Sequence, residues 1–464
     1  MTPDGTTIVG AGIHDGFGTE AWIVRIPEPG VAALIAVGVA VLHRRNRLRG
    51  LTRRSISRPA AEITRGRTRR IVQTQRDSSS IWLRYVFAFL CFAATTLPCW
   101  ATDSPYFLGL GDLPGGDNYS AAFGISPNGQ YVVGRSASAG PGDATGYEAF
   151  IWSKATGMSG LGDLPGGGAF GIGTAVSTNG VVSGYGETDL GTEPFRWTPS
   201  TGLLSLSELS GAGPYLGNAF DISADGNTII GGAYNLPGSS SAQAFRWSET
   251  DGFVGLGTLP GSTSSFAQTI SADGSTIAGV SSGSPYWKPF YWNAVEGMVS
   301  LGSLPATYRD CRVYGISSDG RAIVGTLVRA NNDFDAFVWT ANDGFTLLGD
   351  LTGGIHSSTA NAISADGAVI IGRASIATGT TSFIWDAMHG LRDLREVLIA
   401  DCGFDLSDWS GLHAQDMTPD GQTIVGFGQH EGLGTEAWIV HIPEPLTACL
   451  LLIGTGLLRL RRHL

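Results

Sequence analysis

One segment, clearest at residues 348–385, recurs in degenerate form seven times along this chain of 464 residues. Each copy carries three marks in fixed order: a Leu-Gly-Asp-Leu-like start, a Ser-Ala-Asp-Gly-like turn between apolar residues, and an apolar pair ending in tryptophan. The tryptophans are Trp152, Trp197, Trp247, Trp292, Trp339, Trp385 and Trp438, spaced 45, 50, 45, 47, 46 and 53 residues apart. Periods near this length belong to the blades of propellers rather than to shorter helical or leucine-rich solenoid repeats. The repeat array also makes one large closed or stacked domain a better expectation than several average ones.

The turn chemistry sets the secondary structure. Asp225-Gly226, Asp273-Gly274, Asp319-Gly320, Asp366-Gly367 and Asn179-Gly180 lie between apolar runs, and Gly there accepts the positive φ of a tight hairpin. Leu-Pro-Gly-Gly runs, as at 113–116 and 164–167, supply further turns whose proline does not suit a central strand. Four short strands per copy follow; in the third copy they are placed at about 204–209, 219–223, 228–232 and 244–247. The expected fold is all-β, a seven-bladed β-propeller of about 47-residue repeats with short flanking apolar helices. The repeated tryptophan is expected between neighbouring blades, where a buried ring contributes roughly 2–3 kcal/mol. A right-handed β-helix is the alternative, but its coils are shorter. A strand near 107–113 is available to complete the last sheet.

Charge divides the chain. Of 29 basic residues, 14 lie between Arg25 and Arg84 and three follow Leu458, which leaves twelve in residues 102–445 against 34 acidic ones. Such a body has no basic stripe for phosphate, so nucleic acid is not an expected partner. Only Cys311 and Cys402 lie in it, which excludes a disulfide framework and allows one bridge at most.

The flanks have their own logic. Residues 1–29 match residues 417–445 at 23 of 29 positions. Residues 1–49 are therefore expected to be a partial duplicate of the last repeat with its tail, the remnant of an upstream paralogous frame. Residues 50–80, basic and without apolar periodicity, are expected to be a disordered linker. Residues 81–101 combine preceding arginines, an apolar run and Cys99-Trp100-Ala101, the three regions of a secretory signal peptide. The repeats occupy 102–442. Residues 443–464 begin with Pro443-Glu444-Pro445, continue in an apolar run and end in Arg459, Arg461 and Arg462, which suits a transient membrane anchor with its cations on the cytoplasmic side.

Two resemblances follow from these residues. The tail resembles a PEP-CTERM sorting signal, with Pro443, Glu444 and Pro445 as the sorting motif, and Pro27-Glu28-Pro29 looks like a second copy. That resemblance implies an exosortase-type sorting enzyme as partner and a membrane-anchored precursor released to the cell surface or extracellular space. The repeats, with GLGDLPGG, ISADG and AFxW, resemble the HAF family of extracellular repeat proteins over nearly all of 102–440. The His-Ala-Phe triplet of that name is replaced here by Glu148-Ala149-Phe150, Gln243-Ala244-Phe245 and Asp335-Ala336-Phe337. The resemblance carries over no catalytic residue.

The chemistry in the repeats is sparse. Asp-Gly turns lack the further oxygens of a calcium loop. The last repeat inserts residues 395–416, at whose start a short segment, 394–400, is expected to be the only helix of the body. Asp401, Asp405, Asp408 and Asp416 in this insertion are the candidate cation ligands, with solvated loop charge as the competing reading. His356, His389, His413, His430 and His441 show no metal-ligand spacing, no nucleophile elbow is present, and no cofactor is implied. Two function classes remain: a non-catalytic surface or matrix protein binding polysaccharide or other surface components, and a glycan hydrolase or lyase. Tyr119, Tyr147, Tyr215, Tyr286 and Trp287 are candidate sugar-stacking residues for the first. Paired carboxylates, or a histidine with a carboxylate at a channel mouth, would mark the second.

Overall fold

A computed structural model describes residues 104–139, 145–211, 213–236, 240–283 and 286–443, and the backbones of Thr7–His14 and Gly18–Arg25. The chain divides into two compact units, Met1–Pro98 and Cys99–Leu464. The expected linker, signal-like segment, apolar helices and the tail beyond Pro443 lie outside the described residues. Among those residues no helix is long and apolar enough to cross a membrane.

In the first unit Thr7–His14 pairs antiparallel with Gly18–Arg25, Thr7 opposite Arg25. The duplicated stretch near the C-terminus forms the same hairpin, Thr423 opposite His441.

The second unit is all-β, and its strands run as seven successive antiparallel meanders, referred to below as repeats one to seven. Repeat three shows the plan: Gly217–Ile222, Ile229–Ala233, Gln243–Ser248 and Gly252–Gly255 pair in order. The first strands of the other repeats are Gly115–Ile125, Gly166–Val176, Ser264–Ile270, Tyr308–Ile316, Ser358–Ile363 and Trp409–Met417. Repeat seven has only three strands of its own, and its fourth is Tyr106–Gly109, antiparallel to Gly434–His441.

The strand phase differs from the sequence expectation by one strand. The Leu-Gly-Asp-Leu mark is a connection at Leu110, Leu161, Leu256 and Leu301, a short helix, Leu206–Ser210, with Ser205 as N-cap, before repeat three, and the end of the preceding fourth strand at Leu348 and Leu391. The segment 394–400 is thus not the only helix of the body. The true fourth strand follows the tryptophan through a second hairpin, whose glycines Gly157, Gly202, Gly252, Gly297, Gly344 and Gly390 have φ between 62° and 72°. Charged and polar residues before those glycines hide the hairpin from a search for apolar flanks.

The aromatic marks obey a register rule. Each second strand carries a glycine opposite the aromatic of the third: Gly134–Phe150, Gly184–Phe195, Gly231–Phe245, Gly279–Phe290, Gly325–Phe337, Gly372–Phe383 and Gly426–Trp438. A Cβ on Gly372 would stand 2.0 Å from the Thr359 carbonyl oxygen and 2.7 Å from the Phe383 ring. The ring covers the bare glycine, so this pair is one packing unit rather than two independent residues. Trp438 therefore occupies the phenylalanine position, and Val440, opposite Ile424, takes the place that Trp152 has opposite Val132. Equating Trp438 with the other six tryptophans is corrected by this pairing.

The core is not inside the repeats but between them. Val133 and Ala149 of repeat one pack with Leu161, Val182 and Phe195 of repeat two. Ile230 and Ala244 of repeat three meet Leu256 and Phe290 of repeat four, and Ala322, Ala336 and Leu348 of repeat five meet Ile370 and Phe383 of repeat six. One such cluster joins repeat seven, through Val425, Ala437 and Ile439, to Val132, Phe150 and Trp152 of repeat one. The tryptophans sit in these interfaces as expected: Trp247 and Trp438 are fully buried, and the Trp339 indole donates to the Leu301 carbonyl at 3.0 Å. Meanders packed face to face in this way define a β-propeller architecture.

Candidate functional site

The turns that follow the first strands are explained by local bonding. The Ser223 hydroxyl donates to Asp225 Oδ1 at 2.6 Å, the Asn227 amide donates to the same oxygen at 3.0 Å, and Gly226 has φ 77°. Asp273, Asp319 and Asp366 repeat this arrangement. The serine hydroxyl bond, first among the causes, holds the carboxyls of all four below the usual range. The turns also bond one another: Thr178 N donates to Ala224 O, Ala224 N to Ala272 O, Ala272 N to Ser318 O and Ala365 N to Pro419 O. In repeat one Pro127 has no N–H to give, and Asn128 Nδ2 reaches Thr178 O instead at 3.0 Å.

These first strands enclose a cavity of about 200 Å³ to which all seven repeats contribute. One position of the repeat, three residues before the serine or threonine of the turn, lines it as Phe123, Thr174, Phe220, Gln268, Tyr314, Asn361 and Gln415. The set is three aromatics, three amides and one hydroxyl, without a charge. Asn361 Nδ2 is engaged by the Ala414 carbonyl at 2.9 Å, whereas the side chains of Gln268 and Gln415 make no hydrogen bond to a described residue.

Two carboxylates stand one residue further on. Asp416 Oδ2 accepts from Ile125 N at 2.9 Å and Oδ1 from Met417 N at 2.8 Å. Asp221 Oδ2 accepts from Ile270 N at 2.9 Å and from the Thr269 hydroxyl at 3.1 Å, and Oδ1 accepts from Ile222 N at 2.8 Å. Each aspartate therefore clasps the next repeat, seven to one and three to four. Burial pushes Asp416 up to about 7, outweighing those bonds, with the charge of Asp221 adding to the effect. Asp221 is pushed up to about 6, again by burial.

A second polar group lies on the strand ends away from the turns. Asp335, buried, accepts from Arg329 Nε at 2.6 Å and the Tyr308 hydroxyl at 2.9 Å, and its other oxygen is 2.6 Å from His356 Nε2. His356 Nδ1 is 3.4 Å from Asp350. Burial alone would raise the Asp335 carboxyl, but the bonds from Arg329, Tyr308 and His356 hold it below the usual range. His430 and Glu436 form an equivalent bonded pair, and Glu436 Oε1 accepts the Gly111 amide at 2.9 Å. Glu148 does the same for Gly162 at 2.8 Å. In repeats one and seven the glutamate at the histidine position of His-Ala-Phe thus fastens the Leu-Gly-Asp connection, whereas Asp335 at that position binds Arg329, Tyr308 and His356.

The four candidate cation ligands are not brought together. Asp401 ends the helix Leu394–Ala400 and meets Arg392 at 3.3 Å, and Asp405 accepts from Ser407 N at 3.0 Å. The Asp408 carbonyl accepts from Glu431 N, while Asp416 is on the cavity wall. Among the described residues no group of three or more His, Cys, Asp or Glu is placed to hold a metal ion. The insertion is instead packing: Leu394, Leu398, Leu406, Trp409 and Leu412 are buried against Trp438. Cys311 and Cys402 are both free thiols.

The candidate aromatics separate likewise. Tyr119 and Tyr147 meet edge to face at 5.0 Å with the Arg135 guanidinium over both rings. Tyr215 is buried against Phe253, so it is not a loop aromatic free to stack on a sugar. Tyr286 is exposed beneath Arg309, and Trp287 packs on Phe266. Of the sorting motif, Pro443 is described, and Glu444 and Pro445 lie outside the described residues.

The fold and cavity define an all-β repeat protein of propeller type. Neither a family model nor a curated protein matches the chain. Solved structures similar to it include an oligogalacturonate lyase from Vibrio parahaemolyticus, 12% identical over 74% of this chain and 98% of that one, with a TM-score of 0.47. TolB from Acinetobacter baumannii is 13% identical over 68% and 80%, at 0.38. The β-propeller domain of the Trilobed protease from Pyrococcus furiosus is 12% identical over 59% and 81%, at 0.40. These are distant likenesses, and the functional reading rests on the residues of this chain.

Proposed function

We propose that residues 102–442 form a seven-bladed β-propeller, closed by Tyr106–Gly109, that binds polysaccharide at the surface of a bacterium without transforming it. The observation that carries the reading is the uncharged set of side chains that one position of each repeat presents to the cavity, beside the backbone-bonded Asp221 and Asp416. Phe220 and Tyr314 offer ring faces for sugar stacking, and Gln268 and Gln415 offer amides without protein partners, the pairing by which a site fixes a polar ligand with an apolar face. A glycan array on the purified full-length protein, with product analysis of each glycan retained, is the test. Retention of unaltered chains, weakened by Tyr314→Ala, is expected; no glycan retained would end the proposal.

A hydrolase or lyase is the second reading, favoured by Asp221 and Asp416, whose raised carboxyls suit proton transfer near neutrality. The backbone bonds on both oxygens of each give the carboxylates a structural duty already. Shortened products that disappear in Asp416→Asn would establish this reading in place of binding.

Export belongs to the same proposal. It is supported by the resemblances to HAF repeats and to the PEP-CTERM signal, and it makes an exosortase-type enzyme the processing partner. N-terminal sequencing of the exported protein is expected to begin near Thr102, and finding residues 1–29 in the mature protein would refute the signal-peptide assignment.

A further inference from the structure

The body has ten arginines, and five have carboxylate partners: Arg196 pairs with Glu249, Arg246 with Asp251, Arg321 with Asp319, Arg329 with Asp335 and Arg392 with Asp386. The other five, among 34 acidic and twelve basic residues in residues 102–445, have no carboxylate partner among the described residues, and Arg135, Arg309 and Arg395 among them bond or cover other groups. Two are found together. Arg312, on the first strand of repeat five, and Arg373, on the second strand of repeat six, line one cavity of about 350 Å³. Both are exposed, and neither makes a hydrogen bond or ion pair to a described residue.

The wall around them has no acidic residue. It is built from Tyr314, Phe334, Ser357, Thr359, Ser375 and Thr380, with Thr326 and Ala374 completing it. The hydroxyls of Ser357, Thr359, Ser375 and Thr380 make no hydrogen bond to a described residue. The nearest acidic neighbour along the strand is turned to other work: Asp310 Oδ1 accepts from Trp287 N at 2.8 Å and Cys311 N at 3.0 Å. Tyr314 belongs to this cavity and to the central one, so the two share a wall.

Two guanidiniums in one cavity repel each other unless an anion lies between them, and a guanidinium fork matches a carboxylate in geometry. Open hydroxyls and a tyrosine face suit the sugar that carries that carboxylate. We propose that the cleft between repeats five and six is the anion subsite of the glycan site, taking a uronate residue of an acidic polysaccharide between Arg312 and Arg373. This rests on the binding function proposed above and specifies its substrate class. The surrounding acidic surface opposes non-specific capture of polyanions, so recognition depends on the local pair.

The test is calorimetric titration of the full-length protein with a glucuronate-containing oligosaccharide and with the same oligosaccharide after carboxyl reduction. The acidic form is expected to bind at least tenfold tighter, and Arg312→Gln and Arg373→Gln are each expected to remove most of that preference. Arg321→Gln, which alters an exposed pair with Asp319, is expected to leave it intact. Equal binding of both forms overturns the subsite while the polysaccharide reading stands, and a preference unchanged in both variants overturns it too. Binding of neither form overturns the subsite, and the polysaccharide reading is then decided by the glycan array. Inorganic sulfate that competes as well as the oligosaccharide would identify a plain anion site and reject the sugar.

Discussion

At the residue scale, the two cavity aspartates make a pH signature. Their folded pKa values, about 7 for Asp416 and about 6 for Asp221, lie above the usual carboxylate value of 3.8. A group raised in the fold supports stability fully below its unfolded pKa and loses that support as pH climbs through the folded one. The turn aspartates are lowered, so their contribution is present above the usual carboxylate pKa and disappears in more acidic solution. Melting temperature is therefore expected to fall as pH rises from about 4.5 to 8, and the slope is expected to flatten in the Asp221→Asn, Asp416→Asn double variant. Identical slopes in the two proteins would show that these groups do not titrate in that window. The amide of either asparagine faces a backbone N–H, so the double variant is also expected to melt lower at acid pH.

The glycine–aromatic pairs give a second residue-scale prediction. Gly372→Ala brings a methyl against backbone and the Phe383 ring, which cannot both withdraw, and a loss of about 2–3 kcal/mol is expected by chemical denaturation. A loss below about 0.5 kcal/mol, ordinary for a surface site, would contradict the packing described.

At the element scale, the strand Tyr106–Gly109 carries disproportionate weight. Phe107 stacks on Trp438 at 5.6 Å and meets Trp409 edge-on at 5.2 Å, so one side chain joins the first strand of the body to the last repeat and its insertion. Phe107→Ala is expected to cost roughly 2–3 kcal/mol in a denaturant titration. No measurable change would mean that this edge is dispensable. Much at this scale was legible in the sequence: the Asp-Gly hairpins, the seven copies and the spare strand near 107 all follow from turn chemistry and spacing. The hairpin after six of the tryptophans was not, because only Asp251-Gly252 and Asp343-Gly344 carry the Asp-Gly signal there and the other four offer a lone glycine behind polar or charged residues. The roles of Asp416 and Asp221 were also hidden. A carboxylate that bonds the amide of a different repeat has no local pattern, and Asp416 drew notice only beside Asp401, Asp405 and Asp408, with which it shares nothing. Arg312 and Arg373, 61 positions apart, become neighbours only when two repeats are set side by side.

At the scale of the whole molecule, the location of the core governs cooperativity. Each hydrophobic cluster needs side chains from two consecutive repeats, so a single repeat cut from the body keeps neither of its apolar faces covered. One unfolding transition is expected in calorimetry, with equal calorimetric and van't Hoff enthalpies. Separate transitions for groups of repeats would show that the interfaces are weaker than the clusters imply.

Tyr106 stands opposite His441 in the register of the last sheet. The polypeptide thus enters and leaves the body at the same edge, and which repeat comes first is a matter of where translation begins. Joining those two points with a short linker and opening the chain at any other Leu-Gly-Asp connection is expected to give circular permutants with the same fold. In the closed seven-bladed ring proposed above, the order of repeats in the gene is one of seven ways of writing the same fold.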